Sequence, residues 1–221
     1  MKSVLDHLVV GARTLAEGVA WCEATLGVTP EPGGQHPLMG THNRLVDLSS
    51  PAFAQAYLEI IAIDPQAPPP GRIRWYDLDD DRMQAALAQG PRLIHWVARS
   101  ADLRTQLAAL AAAGWERGEA LQAERGPLHW QISVRPDGQR LCDGALPTLI
   151  TWGDQHACDH LPPSRLGLQA LAIDGLPETV MDALHVEGVQ HVPGKRGSGL
   201  RATLFTPRGV VALDSRHPAK D

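Results

Sequence analysis

Short apolar runs separated by amphipathic stretches organise the first third of the chain. The run VLDHLVVGA, residues 4–12, has the length and the apolar, β-branched composition of a buried strand. The following LAEGVAWCEATL has apolar residues at helical spacing. Thr14 is placed to cap it, Glu17 follows three residues later and Gly27 closes it. The runs RLVDL and AYLEIIAI come next, so residues 1–64 are predicted to form strand, helix, loop, strand and strand.

The loop in this order is the stretch GGQHPLMGTHN, residues 33–43. It contains three glycines and one proline and follows neither a helical nor a strand period. Glycine permits unusual backbone angles and close approach, and proline stiffens the chain. The composition therefore predicts an ordered loop rather than a regular element.

Residues 65–91 are predicted to be a linker. Their first part, PQAPPPG, is too rich in proline for a helix or a strand, and a short helix is predicted near residues 79–88. After the linker, residues 92–154 repeat the earlier pattern. A strand LIHWVARS precedes a helix that begins at Asp102 and closes at Gly114, and two further strands, LHWQISV and LPTLITW, follow.

An internal repeat follows from this comparison. Superposing DHLVVGA on IHWVARS places His7 on His95. A weaker third copy is predicted over residues 165–215, where strand-like and helix-like segments recur in a similar order. Short strand–helix units are common, so chance similarity is the alternative explanation, above all for the third copy.

Composition narrows the class of protein. The chain has 221 residues, of which 43% are hydrophobic and 20% charged, with a net charge of −5, as expected of a globular protein. No basic stripe suggests a nucleic-acid partner, and no apolar run reaches the roughly 18 residues of a membrane span. The start lacks a signal-peptide pattern and the three cysteines form no CxxC, which together predict a reduced, cytoplasmic protein.

Two ionisable residues interrupt apolar strands and are the main candidates for chemistry. His7 lies in the first run and Glu59 in AYLEIIAI. A buried carboxylate needs a cation, a donor or a raised pKa, and imidazole plus carboxylate can begin a divalent metal site. His95 joins them through the repeat. The segment PTLITW offers no acid equivalent to Glu59, so a symmetric four-ligand set is incomplete, and a structural His–Glu hydrogen bond remains the alternative.

Other strand residues are weaker candidates. His129 is able to point inward from LHWQISV and supplement the set, or to bond backbone as an ordinary strand histidine. Trp96, Trp130 and Trp152 lie on strands of the second unit and either pack against helices or wall a ligand cavity. No GxGxxG after a strand, P-loop, HExxH or GxSxG motif is present.

The segments LDHLVV, TLAEGVAWCEATLGV, GGQHPLMGTHNRLVDL and YLEIIAID together resemble the glyoxalase-like domain branch of the vicinal oxygen chelate superfamily. RLIHWVARSADL, GPLHWQI and GALPTLITW are similar to it too. The resemblance implies an α+β fold of paired βαβββ modules, whose sheets curl around a cavity that often holds a divalent metal (Zn, Fe, Mn, Ni or Mg). It implies His7, Glu59 and His95 as the ligands and, by family habit, a homodimer.

In that architecture the stretch 33–43 forms the rim of the cavity. His36, Thr41 and Asn43 then become candidates for substrate binding, together with His129 and Trp130. The alternative is that this stretch only maintains the shape of the module.

Two functions follow for a small-molecule substrate. One is a metal-dependent lyase, isomerase or ring-cleaving dioxygenase that acts on a small oxygenated compound, with Glu59 as the candidate catalytic base. The other is a protein without chemistry that sequesters a small apolar or aromatic molecule, which the incomplete ligand set favours.

Overall fold

The structure, a computed structural model, describes residues 2–192 and 197–216. No helix in these two ranges is long and apolar enough to cross a membrane. Thirteen strands are formed: Ser3–Gly11 (β1), Glu31–His36 (β2), Thr41–Asp47 (β3), Tyr57–Ile63 (β4), Arg92–Ser100 (β5), Glu119–Arg125 (β6), Leu128–Val134 (β7), Thr148–Trp152 (β8), Gly167–Asp174 (β9), Val186–Glu187 (β10), Val189–Val192 (β11), Gly199–Thr206 (β12) and Gly209–Asp214 (β13). The α-helices are Leu15–Leu26 (α1), Asp81–Leu87 (α2), Leu103–Ala112 (α3) and Glu178–Leu184 (α4).

The larger sheet has the order β2-β3-β4-β1-β5-β8-β7-β6, with β10 paired to the start of β1. Its centre is the antiparallel pair β1–β5, and on either side β1 runs parallel to β4 and β5 runs parallel to β8. Each half is therefore a βαβββ unit, and the two halves are related by an approximate twofold at the β1–β5 pair. The predicted α+β fold with a strongly curled sheet is confirmed.

Strand alternation divides the apolar side chains between the two faces of this sheet. Leu8, Val10 and Ile60 belong to the core between the sheet and the helices α1 and α3. Val9 and Ile61, one position along, belong to a second cluster on the opposite face, together with Trp75 and Tyr76 of the linker. The linker therefore fills part of the interior of the curled sheet.

The helix limits agree with the sequence signals. Thr14 Oγ1 accepts a hydrogen bond from the backbone N–H of Glu17, and Gly27 ends α1 in a left-handed conformation with φ of 76°. Asp102 caps α3 in the same way by accepting from Thr105 N–H.

A second sheet has the order β11-β9-β12-β13. Its element sequence is strand, helix and strands, as in the two halves of the larger sheet, but β9 lies between β11 and β12. The third segment thus differs in topology from the other two, and it shares their core through Leu168, Leu171 and Ile173. Residues 193–196 of the predicted third unit lie outside the described residues, and the boundaries 1–64, 65–91, 92–154 and 165–215 stay predictions.

The stretch 33–43 is not a loop, so that prediction was wrong. Residues 33–36 belong to β2 and residues 41–43 to β3, joined as an antiparallel hairpin by a four-residue turn. The strand period is hidden because Gly33 and Gly34 have no side chains. A Cβ at Gly33 would overlap Asn43, and one at Gly34 would overlap the side chain of Arg125. The two glycines therefore make room for polar groups from neighbouring strands.

Gly18 in α1 sets how closely this helix approaches β4. A Cβ at this position would overlap Cγ2 of Ile60, a β-branched side chain with little freedom to move. We expect Gly18→Ala to lower the free energy of unfolding by about 1 kcal/mol in urea titrations, because overpacking outweighs the gain in helix propensity. In the background of Ile60→Ala the same change should cost nothing, and a Gly18→Ala protein more stable than wild type would contradict the close packing.

Candidate functional site

A small cavity lies on the concave face of the larger sheet. Its volume is about 30 Å³, room for about two water molecules. His7, Asn43 and Glu59 enter it from β1, β3 and β4, and Arg125 from the end of β6. Aromatic and aliphatic side chains close it from the second half of the sheet and from the linker: Trp75, Tyr76, Trp130, Ile132, Ile150 and Trp152.

An irregularity in β1 brings Asp6 and His7 together. The register of β1 against β5 shifts between Leu5 and His7, so Asp6 occupies a bulge. Regular alternation would send these neighbours to opposite faces. Here Asp6 Oδ1 lies 2.7 Å from Nδ1 of His7, and both side chains are buried.

Asp6 is ionised although it is fully buried. Burial by itself raises the pKa of this carboxyl, but hydrogen bonds from His156 and His7 outweigh it and hold the pKa well below its usual range. Oδ2 of Asp6 also accepts from Nε1 of Trp152 and lies 2.9 Å from Nε2 of His156. Because Nδ1 of His156 accepts from the N–H of Cys158, the proton of this ring is on Nε2 and points at Asp6.

The Asp6 carboxylate likewise assigns the tautomer of His7. Nδ1 of His7 donates to Asp6, so Nε2 of His7 carries a lone pair when the ring is neutral. Tyr57 stacks on the ring with centroids 4.4 Å apart, which fixes the plane of the imidazole. The pKa of Tyr57 is raised well above its usual value by burial and then by Asp6 and Glu59, so its hydroxyl stays neutral.

On the side away from His7, Glu59 is held by the hairpin of β2 and β3. Nδ2 of Asn43 donates to Glu59 Oε1 at 2.6 Å and lies 3.3 Å from Nε2 of His36. Nδ1 of His36 lies 3.0 Å from the hydroxyl of Thr41. Burial, opposed by Glu59 and assisted by Arg125, lowers the pKa of His36 to about 4, so the ring is uncharged at neutral pH. Its Nε2 is the acceptor because it faces the donor Nδ2 of Asn43.

The central contact joins two acceptors. Nε2 of His7 faces Oε2 of Glu59 at 3.7 Å, and both side chains are buried. A lone pair and a carboxylate oxygen at this distance need a positive or hydrogen-donating group between them: a proton on His7, or a hydroxyl, an acidic C–H or a cation from a ligand. This pair is the reactive part of the cavity.

Arg125 adds a positive charge at the rim. Its side chain packs over Gly34, and Nη1 lies 3.5 Å from Oδ1 of Asn43, a long contact. Asn43 Oδ1 is also held by the backbone N–H of Gly34 at 2.8 Å. Within the described ranges Arg125 forms no ion pair, so its guanidinium is available to an anionic group of a ligand.

The model of the glyoxalase-like domain matches residues 5–186. The chain belongs to the glyoxalase-like domain family. This confirms the resemblance to the glyoxalase-like domain family that the sequence motifs indicate. No curated protein matches the chain.

Solved structures resemble this glyoxalase-like protein in fold. A hypothetical protein from Staphylococcus aureus is 14% identical with a TM-score of 0.56, over 97% of this chain and 85% of that one. A variant of Streptomyces coelicolor methylmalonyl-CoA epimerase in complex with 2-nitronate-propionyl-CoA is 18% identical with a TM-score of 0.44, over 69% and 96%. The epimerase from Mycobacterium tuberculosis is 15% identical with a TM-score of 0.42, over 67% and 85%.

The three predicted metal ligands are not brought together. His95 lines a different cavity, and both of its ring nitrogens are engaged: Nδ1 with the carbonyl of Gly144 and Nε2 with the N–H and hydroxyl of Thr148. Burial, then Arg117 and Arg140, lower the pKa of His95 well below its usual value. No group of three or more His, Cys, Asp or Glu side chains in residues 2–192 and 197–216 is placed to hold a metal ion. The donors present therefore do not fit the three-ligand metal centre.

The strand register shows which residue of the second half is equivalent to Glu59. Val9, two residues after His7, pairs with Glu59, while Val97, two residues after His95, pairs with Thr148. Thr148 is therefore the structural counterpart of Glu59. Its hydroxyl sits against His95, where a carboxylate would have completed the symmetric pair.

The remaining predicted residues divide into three groups. His36, Asn43 and Trp130 line the cavity, whereas Thr41 is buried behind His36. The side chain of His129 is 64% exposed and lies beside Glu124, outside the cavity. Trp96 packs in the helix-side core and donates to the carbonyl of Ala145, while Trp152 lines the cavity.

The sequence did not single out Asp6, Tyr76, Arg125 or His156. Asp6 had the same signal as Glu59, an ionisable residue inside an apolar run, but regular alternation would have pointed it away from His7. Arg125 and His156 lie in polar segments far along the chain and carry no local signal. Only the tertiary structure reveals them. His156, at the start of the short helix Ala157–His160, lies 2.9 Å from Asp6, and Arg125 reaches the cavity from the end of β6.

His36 should make the fold sensitive to acid. The unfolded chain binds a proton near the ordinary pKa of 6.5, whereas folded His36 does so only near about 4. Unfolding is therefore favoured as the pH falls through this window, by up to about 3 kcal/mol. In urea unfolding at about pH 6.5 and about pH 4.5, His36→Gln should lose less stability than wild type. The exposed His129→Gln is the matched control, and equal losses in all three proteins would contradict the assignment.

Proposed function

We propose that this protein is an enzyme that moves a proton on a small oxygenated organic molecule, in the isomerase or lyase class, with Glu59 as the base. The observation that carries the proposal is the Glu59–His7 pair, two acceptor atoms 3.7 Å apart in a protected cavity. A carbon acid that docks against this pair has the Glu59 carboxylate and the His7 imidazole next to each other on one side. Both groups are within the range of proton transfer once a substrate is bound.

The proposed step begins with a C–H bond next to a carbonyl group. Oε2 of Glu59 removes the proton, and the electron pair of the C–H bond moves into an enolate whose oxygen becomes negative. The Arg125 guanidinium is the group on the rim best suited to stabilise that oxygen. Return of a proton to the neighbouring carbon completes an isomerisation, and loss of a leaving group from that carbon gives a lyase.

His7 is suited to receive or return the proton. Its Nε2 faces Glu59, and Asp6 behind it both fixes the tautomer and stabilises the imidazolium form. Asp6 does not face the cavity and acts only through His7, so we assign it a positioning role. Asn43 has the equivalent role for Glu59 because it occupies Oε1 and leaves Oε2 towards His7.

The proposal uses no metal. The resemblance predicted one held by His7, Glu59 and His95, but the ring nitrogens of His95 are engaged by Gly144 and Thr148. No step is therefore assigned to a metal ion, and dioxygenase chemistry, which depends on that ligand set, is not proposed. The predicted cytoplasmic location and homodimer remain predictions.

The cavity has to widen to admit a substrate, because about 30 Å³ holds only about two waters. The β6–β7 hairpin carries both Arg125 and Trp130, and β6 is an edge strand with one neighbour. This hairpin is the element most easily displaced. The aromatic lining also supports the alternative of a binding protein without chemistry, in which Trp130 and Trp152 contact an apolar ligand.

Hydrogen exchange on carbon separates the two functions. Wild-type protein should be incubated in D₂O with a panel of small 2-oxo acids, 2-hydroxy ketones and short-chain keto esters, and loss of the α-C–H signal followed by proton NMR. We expect Glu59→Gln to slow this exchange by about 100-fold or more, the usual contribution of a general base. His129→Gln, outside the cavity, should exchange like wild type.

Two results would contradict the enzyme. One is equal exchange by wild type and Glu59→Gln on every compound. The other is thermal stabilisation of both proteins by a panel member with no exchange in either, which would favour the binding protein. Circular dichroism of each variant checks that the fold is intact.

A further inference from the structure

Arg117 is a buried cation without a counter-charge. Its side chain is 4% exposed, and Nη2 donates to the hydroxyl of Thr148 at 2.6 Å. Nε and Nη1 are buried and have no hydrogen-bond partner in the described part of the chain, and no carboxylate there forms an ion pair with this guanidinium. A charged group removed from water without compensation is strongly unfavourable, so Arg117 requires an explanation.

The guanidinium borders a second cavity on the concave face. Its volume is about 10 Å³, enough for about one water-sized particle, and Trp75, Tyr76, His95 and Thr148 line it with Arg117. Nε1 of Trp75 is also buried without a partner. Three unsatisfied N–H donors thus belong to two residues that line one small cavity.

The neighbouring side chains do not neutralise Arg117. Thr148 accepts from Arg117 and passes its own proton to Nε2 of His95, which also accepts from the backbone N–H of Thr148. The hydroxyl of Tyr76 stays neutral because burial, then Glu59, raises its pKa well above the usual value. Nearby Arg135 and Arg140 already have carboxylate partners in Asp137 and Asp77.

We infer that this cavity binds a small monovalent anion, held by the guanidinium of Arg117 and the indole N–H of Trp75. A volume for about one water-sized particle suits chloride, whereas a carboxylate would place one of its oxygens there. The two share their chemistry, which is one negative charge and acceptor lone pairs. Because Trp75 and Tyr76 line both this cavity and that of Glu59, a carboxylate would belong to a molecule that reaches across them, whereas chloride would bind independently.

The anion is tested by its effect on stability. Wild-type melting temperature is measured in rising sodium chloride and in sodium methanesulfonate of equal ionic strength, whose tetrahedral sulfonate head is bulkier than chloride or a planar carboxylate. We expect a saturable rise specific to chloride, roughly 5 to 10 °C at about 100 times the dissociation constant. Arg117→Met should abolish this rise and, in methanesulfonate, be at least as stable as wild type, because it removes an unpaired buried charge.

The matched control is Arg104→Met, which removes the same charge from the exposed face of α3 and should keep the full chloride effect. Glu59→Gln should keep it too, so failure of the proposed enzyme would not affect this result. Sodium butyrate could instead stabilise wild type but not Arg117→Met, while chloride stabilises neither protein. In that case the anion is the carboxylate of a larger ligand.

The inference is overturned if neither chloride nor butyrate has an effect beyond ionic strength, or if Arg117→Met retains it. Should Arg117→Met fail to fold, the chlorine-35 NMR linewidth of chloride in wild-type solution gives an independent answer. Saturable broadening that formate displaces supports the site. If the chlorine-35 line is not broadened and butyrate has no effect, the anion site is rejected.

Discussion

The fully buried carboxylate of Asp6 is the constraint on which the candidate site depends. An ion in this position is tolerated only if several donors surround it, and here they come from His7, Trp152 and His156. These donors belong to the first strand, the last strand of the second half and the short helix after it. One charge therefore ties together segments about 150 positions apart, and it orients the imidazole that faces Glu59.

The two halves of the sheet have the same topology but place different groups beside the equivalent histidines. In the first half, His7 faces the carboxyl group of Glu59. In the second half, the equivalent position holds Thr148, whose hydroxyl accepts a hydrogen bond from the buried Arg117. The two halves thus share the backbone topology and the histidine, whereas the residue that faces the histidine differs.

The linker separates the two cavities, because Trp75 and Tyr76 line both of them. Trp75 and Tyr76 enter the curled sheet, and Tyr76 packs on His95 with ring centroids 5.1 Å apart while Trp75 contacts the ring of His36 at 5.2 Å. Tyr76 and Asp77 both have positive φ, an unfavourable conformation for such residues. Asp77 is held there by Arg140, so the insertion is stabilised by a specific ion pair.

The sequence by itself indicated the class of fold through its resemblance to a known family. It indicated the repeat and the apolar strands that carry His7 and Glu59 through local periodicity and caps such as Thr14 and Gly27. The hairpin of β2 and β3 was hidden, since Gly33 and Gly34 leave gaps in the strand pattern that only Asn43 and Arg125 explain. Tertiary structure alone decided that Asp6 turns towards His7 through a bulge, that Thr148 replaces the second acid and that His95 is committed to Gly144 and Thr148. These outcomes depend on register and on burial among residues distant in sequence, and periodicity along a single strand carries no information about either.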